Sequence, residues 1–264
     1  MRPRRADNPK HVMQHANRYK GGKALIVLGG YSGAGWRDLV QELKPDVLLG
    51  GNGVNQMIDN LDYWMCAENM NFSNGAAARG DPRAVAFMEM FYRNSGAKVK
   101  LISHWSWNLL HDKKDCISIM RNQGFGRGVV PENFSLREYG DGLLNGWIFK
   151  HEEAISMATR VGTVGAQLLH MAGILGCAEV HTIGLDLLQR DDNSHHWYPY
   201  PVYRIDRFRR AGMFVEYKGV QTQLIWIETA QFLKSMQPYF ERDGLKWVDH
   251  SQGLLQIEGL ECAA

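Results

Sequence analysis

The chain reads as an α/β protein: a mostly parallel sheet with helices on both faces and an inserted lid-like segment. Short apolar runs alternate with helix-forming stretches along most of its 264 residues, the pattern of parallel strands covered by helices. Successive strands end in Gly, Asn, Glu or His rather than in arbitrary turn residues. A 45% hydrophobic content is enough for one sizeable core.

The elements follow in order. Residues 1–22 are polar and basic and are expected to form an N-terminal arm, loose or helical. Residues 23–264 are expected to be a single domain. Lys23–Leu28 (KALIVL) is an apolar run closed by Gly29-Gly30, a buried strand and a glycine turn. Trp36–Leu43 suits a helix that stops before Pro45, because the residue before proline disfavours helical geometry. Asp46–Leu49, Asp62–Ala67 and Lys98–Ile102 read as further strands. The second is followed by Gly50-Gly51-Asn52-Gly53, the third by Glu68 and Asn69, the fourth by Ser103-His104-Trp105. Pro82 suits the first turn of a helix running to about Asn94.

Residues 105–150 are irregular and glycine-containing, the expected lid insertion. So long a structureless loop is unusual, so a strand or helix is expected within it. Thr163–Leu175 then places Leu168, Met171, Ala172 and Leu175 on one side of a helix, and Glu179–Ile183 follows as a strand. After a polar loop, Val220–Tyr239 carries an apolar helical face through Ile225, Phe232 and Met236, and Leu245–Val248 makes a last strand.

Composition narrows the function classes. Thirty Lys and Arg against 28 Asp and Glu leave a formal charge of +2, with the basic residues scattered, so no nucleic-acid partner is expected. No stretch approaches the roughly 18 apolar residues of a membrane span, and Arg2, Arg4 and Arg5 precede no apolar run, so no signal peptide is expected. Cys66, Cys116, Cys177 and Cys262 are irregularly spaced. They are expected as reduced, mostly buried thiols in a cytoplasmic protein, without a zinc site. A homo-oligomer is expected by the prevalence of symmetric assemblies among soluble enzymes.

The candidate site residues cluster after the strands. The turn Leu28–Gly35 (LGGYSGAG) lacks both the GxGxxG spacing and a GK[ST] phosphate loop. Gly29, Gly30, Ser32 and Gly33 are nevertheless expected to bring backbone N–H groups near a phosphate, against the alternative of a ligand-free turn. Asn52 is suited to hydrogen bonds with a base, ribose or sugar, or to shaping the turn. Glu68 suits a ribose diol, a metal or a surface ion pair. Gly162 and Thr163 open the later helix, where a cap and a phosphate contact are compatible.

Asp186 either orients a histidine, helps hold a metal, or makes loop-forming bonds to backbone N–H groups. His195 and His196 are the proton-transfer candidates, His195 slightly ahead, because imidazole titrates near neutrality. Asp186, Asp191 and Asp192 are their candidate partners. Tyr198, Tyr200, Tyr203 and Arg204 either grip an anion or pack the loop. His104 is a weaker candidate. His11, His15, His151, His170, His181 and His250 are assigned to structure or surface.

These motifs together resemble the bacterial sialyltransferases and the 6-hydroxymethylpterin diphosphokinase-like proteins, which share a Rossmann-like superfamily. The resemblance rests on three parts: Leu25–Gly33 with Asp46–Asn52 and Asp62–Glu68; Gly162–Gly165 through Gly184-Leu185-Asp186 to Asn193-Ser194-His195; and Val248–Leu255. It spans most of residues 23–260 through short motifs. It implies a nucleotide-dependent transferase, foremost a glycosyltransferase moving a sugar from a nucleotide-sugar donor, CMP-linked in the sialyltransferase branch, to a small-molecule or glycan hydroxyl.

On this resemblance Gly30, Ser32 and Thr163 would meet the donor phosphate and Asn52 the donor. His195 would be the base on the acceptor, and Tyr198 or Tyr203 would assist the departing phosphate. No tightly bound cofactor is implied. The alternatives are an ATP-dependent diphosphokinase, with Mg²⁺ near Glu68 and Asp186, and a non-catalytic nucleotide-binding relative. One departure stands out. Gly-Gly-Tyr-Ser-Gly replaces the family's Gly-x-Gly-Pro-Ser, so the turn lacks the proline and Tyr31 adds bulk, which points to an altered or unused donor pocket.

Overall fold

A computed structural model describes residues 15–66, 97–102, 116–118, 163–190, 196–198, 214–242 and 244–259. Its strands are β1 (Lys23–Val27), β2 (Val47–Gly51), β3 (Tyr63–Cys66), β4 (Val99–Ile102), β5 (Cys116–Ser118), β6 (Glu179–Ile183), β7 (Phe214–Tyr217), β8 (Val220–Gln223) and β9 (Lys246–Asp249). Its α-helices are α1 (Trp36–Leu43), α2 (Val164–Ile174), α3 (Leu224–Arg242) and α4 (Leu254–Ile257). Short 3-10 turns occupy Tyr31–Gly35 and Asn52–Gln56.

Among the described residues, seven strands form one sheet in the order β5-β4-β3-β2-β1-β6-β9, every neighbouring pair parallel. The fold is α/β and Rossmann-like. β1 lies inside the sheet, between β2 and β6, because its apolar run can be buried on both faces. Ala24, Ile26 and Leu28 face one layer, with Leu168, Leu169 and Met171 of α2 and Phe232, Leu233 and Phe240 of α3. Leu25 and Val27 face the other, with Val54, Ile58, Leu61 and Trp64, against which Trp36, Leu39, Val40 and Leu43 of α1 pack. The chain leaves β1 toward β2 on one side, and β6 lies on the other, so the strand order reverses at the β1/β6 boundary. Open α/β sheets bind ligands beyond the carboxyl ends of the strands at such a point.

α1 has the predicted bounds, and β1, β3, β4 and β6 agree with expectation to within two residues at either end. The expected helix over 220–239 is corrected. Val220–Gln223 is instead a strand, paired antiparallel with β7, and the helix begins at Leu224. Lys218 (φ 49°) and Gly219 (φ 81°) make the two-residue turn with both centres left-handed that matches the twist of a hairpin. β5 falls inside the 105–150 segment, where a regular element is expected. The rest of that segment and the helix expected from Pro82 lie outside the described residues.

Residues 15–22, assigned by sequence to the arm, are bound to the end of α2. Asn17, Tyr19 and Gly21 donate their N–H groups to the carbonyls of Ile174, Leu175 and Gly176 at 2.8–2.9 Å. His15 is buried and hydrogen-bonds Tyr63 Oη at 2.7 Å, a structural role. Among the described residues, no helix is long and apolar enough to cross a membrane.

Candidate functional site

The first glycine turn is tied to the end of β6. Leu28 N–H donates to Ile183 O and Gly30 N–H to Gly184 O, each at 2.8 Å, and Gly33 N–H donates to Gly30 O at 2.9 Å. Ser32 N–H donates to Asp186 Oδ2 at 2.9 Å. The Ser32 hydroxyl donates to Asp186 Oδ1 and accepts from Gly184 N–H. The amides of Gly30, Ser32 and Gly33, expected at a phosphate, are therefore donors within the fold.

Asp186 is 5% exposed. Burial raises its pKa, opposed by the Ser32 hydroxyl and by N–H groups of Ser32, Gln252 and Tyr31. Of the roles open to it from sequence, these contacts match the loop-forming bonds to backbone N–H groups. Asp186 links the first turn to the closing turn, where Leu254 N–H also donates to its carbonyl at 2.9 Å.

A second buried aspartate lies beside it. Asp249 accepts from Thr182 Oγ1 at 2.5 Å and from Ser251 Oγ at 2.9 Å. Ser251 Oγ in turn accepts from Leu185 N–H. Burial pushes the Asp249 carboxyl up to about 6, the Thr182 and Ser251 hydroxyls oppose the shift, and the Asp186 charge adds to it.

Over this turn lies the segment His196-Trp197-Tyr198. Trp197 N–H donates to Gly29 O at 3.1 Å and its indole Nε1–H to Leu28 O at 2.8 Å. Glycines make the seat: a Cβ at Gly29 would stand 2.6 Å from His196 Cδ2, and a Cβ at Gly33 or Gly53 would collide with Trp197 or Tyr198. The His196 and Tyr198 rings are tilted at 54° with centroids 4.9 Å apart. Tyr198 is buried at 3% exposure, packed between the ends of β1 and β2.

Asn52 closes β2 in the left-handed region (φ 52°). Its carbonyl accepts from Trp64 Nε1 at 2.6 Å, while its side-chain Oδ1 is buried with no hydrogen-bond partner among the described residues. Thr163 caps α2, its Oγ1 accepting from Ala166 N–H at 3.4 Å. That helix start packs onto the strand ends: a Cβ at Gly51 would stand 2.8 Å from Val164, and one at Gly165 2.7 Å from Leu185.

The structure thus brings Gly29, Gly30, Ser32, Gly33, Asn52, Thr163, Asp186, His196 and Tyr198 to the carboxyl ends of β1, β2 and β6. Glu68, Gly162 and His195 lie outside the described residues, as do Asn69, His104, Asp191, Asp192, Tyr200, Tyr203 and Arg204. Three further residues at the site carry no signal in the sequence. Trp197 lies between two candidates. Arg190 stacks its guanidinium 4.0 Å from the Tyr31 ring centroid. Gln189 has both side-chain amide atoms buried without a partner among the described residues. None of the three belongs to a motif, so only their setting marks them.

No family model matches the chain, and no curated protein matches it. Among solved structures, it is similar to the sialyltransferase CstII from Campylobacter jejuni in complex with the substrate analogue CMP-3FNeuAc. The similarity has a TM-score of 0.45 at 10% identity and covers 92% of this chain and 85% of that one.

Proposed function

We propose that the protein is a nucleotide-dependent transferase, most simply one that moves a sugar from a nucleotide-sugar donor to a hydroxyl acceptor. The supporting observation is Asn52, whose side-chain oxygen, beyond the end of β2, is buried and unpartnered among the described residues. Leaving such an acceptor unmet costs about 1–3 kcal/mol. A donor from a ribose, a sugar hydroxyl or a base amino group would offset that cost.

In this reading the start of α2, with Gly162 and Thr163, faces the donor phosphate. His195, with His196 beside it, takes the proton of the acceptor hydroxyl. The acceptor oxygen forms its bond to the anomeric carbon as the bond from that carbon to the phosphate oxygen breaks. The nucleotide leaves carrying the electron pair, its charge met by preorganised donors.

The test is calorimetric titration of CMP, CDP, UDP and ATP into wild type and Asn52→Gly. Glycine accepts the left-handed backbone and removes the whole side chain, the carboxamide with its methylene. Without ligand the variant should be at least as stable as wild type in urea, and it should bind its nucleotide about tenfold more weakly, the worth of one hydrogen bond. If folded wild-type protein binds none of the four, the proposal falls.

A further inference from the structure

We propose that Arg190, held on the face of Tyr31, is the cationic contact of this site and binds the phosphate of the ligand alongside the start of α2. The inference rests on the nucleotide-dependent reading and names the group that recognises its charge. It begins from a deficit. The amides of Gly30, Ser32 and Gly33 are spent on Gly184, Asp186 and the turn itself. The Asp186 carboxylate lies directly under the turn, its Oδ2 2.7 Å from where a Gly30 Cβ would stand. A phosphate arriving over β1 therefore meets few free amides and a buried acid, and it needs a cation.

Arg190 supplies one. It is exposed, and among the described residues no carboxylate pairs with it. Its guanidinium lies 4.0 Å from the Tyr31 ring centroid. Both ends of this contact are anchored. Tyr31 precedes Ser32, which Asp186 holds. Arg190 follows Gln189, whose N–H donates to Gln221 O at 2.8 Å. A guanidinium laid on an aromatic face keeps its N–H edge free for two phosphate oxygens, and its rotamer is set before the ligand arrives. Tyr31 thereby acquires a use. The bulky residue that breaks the expected turn pattern is the platform that holds the cation where the turn has no amides to offer.

The experiment compares ligands with and without phosphate. Cytidine, uridine and adenosine, their monophosphates, and inorganic pyrophosphate are titrated into wild type and into Arg190→Gln, Tyr31→Phe and Tyr31→Leu, each checked for folding by urea denaturation. Wild type should prefer a monophosphate to its nucleoside by tenfold or more. R190Q should abolish that preference and leave nucleoside affinity unchanged. Y31F should keep it, and Y31L should reduce it about threefold, since the aromatic face and not the hydroxyl does the positioning.

An R190Q protein with the wild-type preference, or a wild type that shows no preference, overturns the inference while nucleotide binding stands. Pyrophosphate binding that R190Q loses, without binding of any nucleotide, upholds Arg190 and refutes the transferase reading. Binding of nothing refutes both.

Discussion

Ser32 shows how much of the turn depends on one hydroxyl. It donates to Asp186 and accepts from Gly184 N–H, joining two turns 152 residues apart in sequence. Ser32→Ala removes both bonds, leaving the Gly184 N–H without its acceptor and Asp186 short of a donor. The expected loss is roughly 2–3 kcal/mol of unfolding free energy, read as a lower urea midpoint with an unchanged m-value. A midpoint within error of wild type would show that water replaces the hydroxyl. Ser32 and Asp186 were both legible as candidates because each follows a strand. Their bond to each other was not, because nothing local in either segment points to the other. Nor does sequence show that Asn52 and Leu187 (φ 56°) adopt left-handed backbone, a conformation that tertiary contacts impose on a non-glycine residue.

The β7–β8 hairpin carries the clearest lesson at the level of elements. Val220-Gln221-Thr222-Gln223 continues without a break into the apolar rhythm of α3, so periodicity alone joins them into one helix. The signal that separates them is Lys218-Gly219, a two-residue turn requiring positive φ at both centres. Asn-Gly would have been read at once; Lys-Gly is not. Gly219 has open space around its Cα, so Gly219→Ala tests backbone strain alone. It should cost about 1 kcal/mol, measured by chemical denaturation, and no loss would mean that the turn relaxes to another type. By contrast, the parallel strands were readable from sequence, because strands buried on both faces must be apolar throughout and short.

Over the whole molecule, buried ionisable groups set opposing pH dependences. The Asp249 carboxyl, raised to about 6, binds its proton more tightly folded than unfolded. Its contribution therefore favours the fold at low pH and is lost as pH rises from about 4 through 6. The full span is roughly 3 kcal/mol for a shift of about two pH units. Asp186 shifts in the same direction.

His181 and His250 work the other way. They lie at the β6/β9 edge with ring nitrogens 2.8 Å apart. Burial lowers both pKa values, opposed at His181 by Glu179 and at His250 by Glu42. Their contribution is present above about 6.5 and is lost as pH falls below it. Asp249→Asn removes one slope and keeps the other. Relative to wild type, the variant should be less stable at pH 4.5 than at pH 7, by denaturant midpoints at each pH. A difference between the two proteins that does not change with pH would refute this account.

The class of the fold, the parallel strands and the edge of the sheet at which polar residues gather are all written locally in the chain, because burial on both faces and strand-end turns leave marks in composition. What those polar residues do to one another is set by the folded arrangement. It turned the Ser32 and glycine amides inward to β6 and Asp186, laid His196-Trp197-Tyr198 over glycines from two strand ends, and set Arg190 on Tyr31. Each of these pairings joins segments distant in the chain, and hydrogen bonds and ring contacts of that kind follow from three-dimensional placement, which no local pattern records.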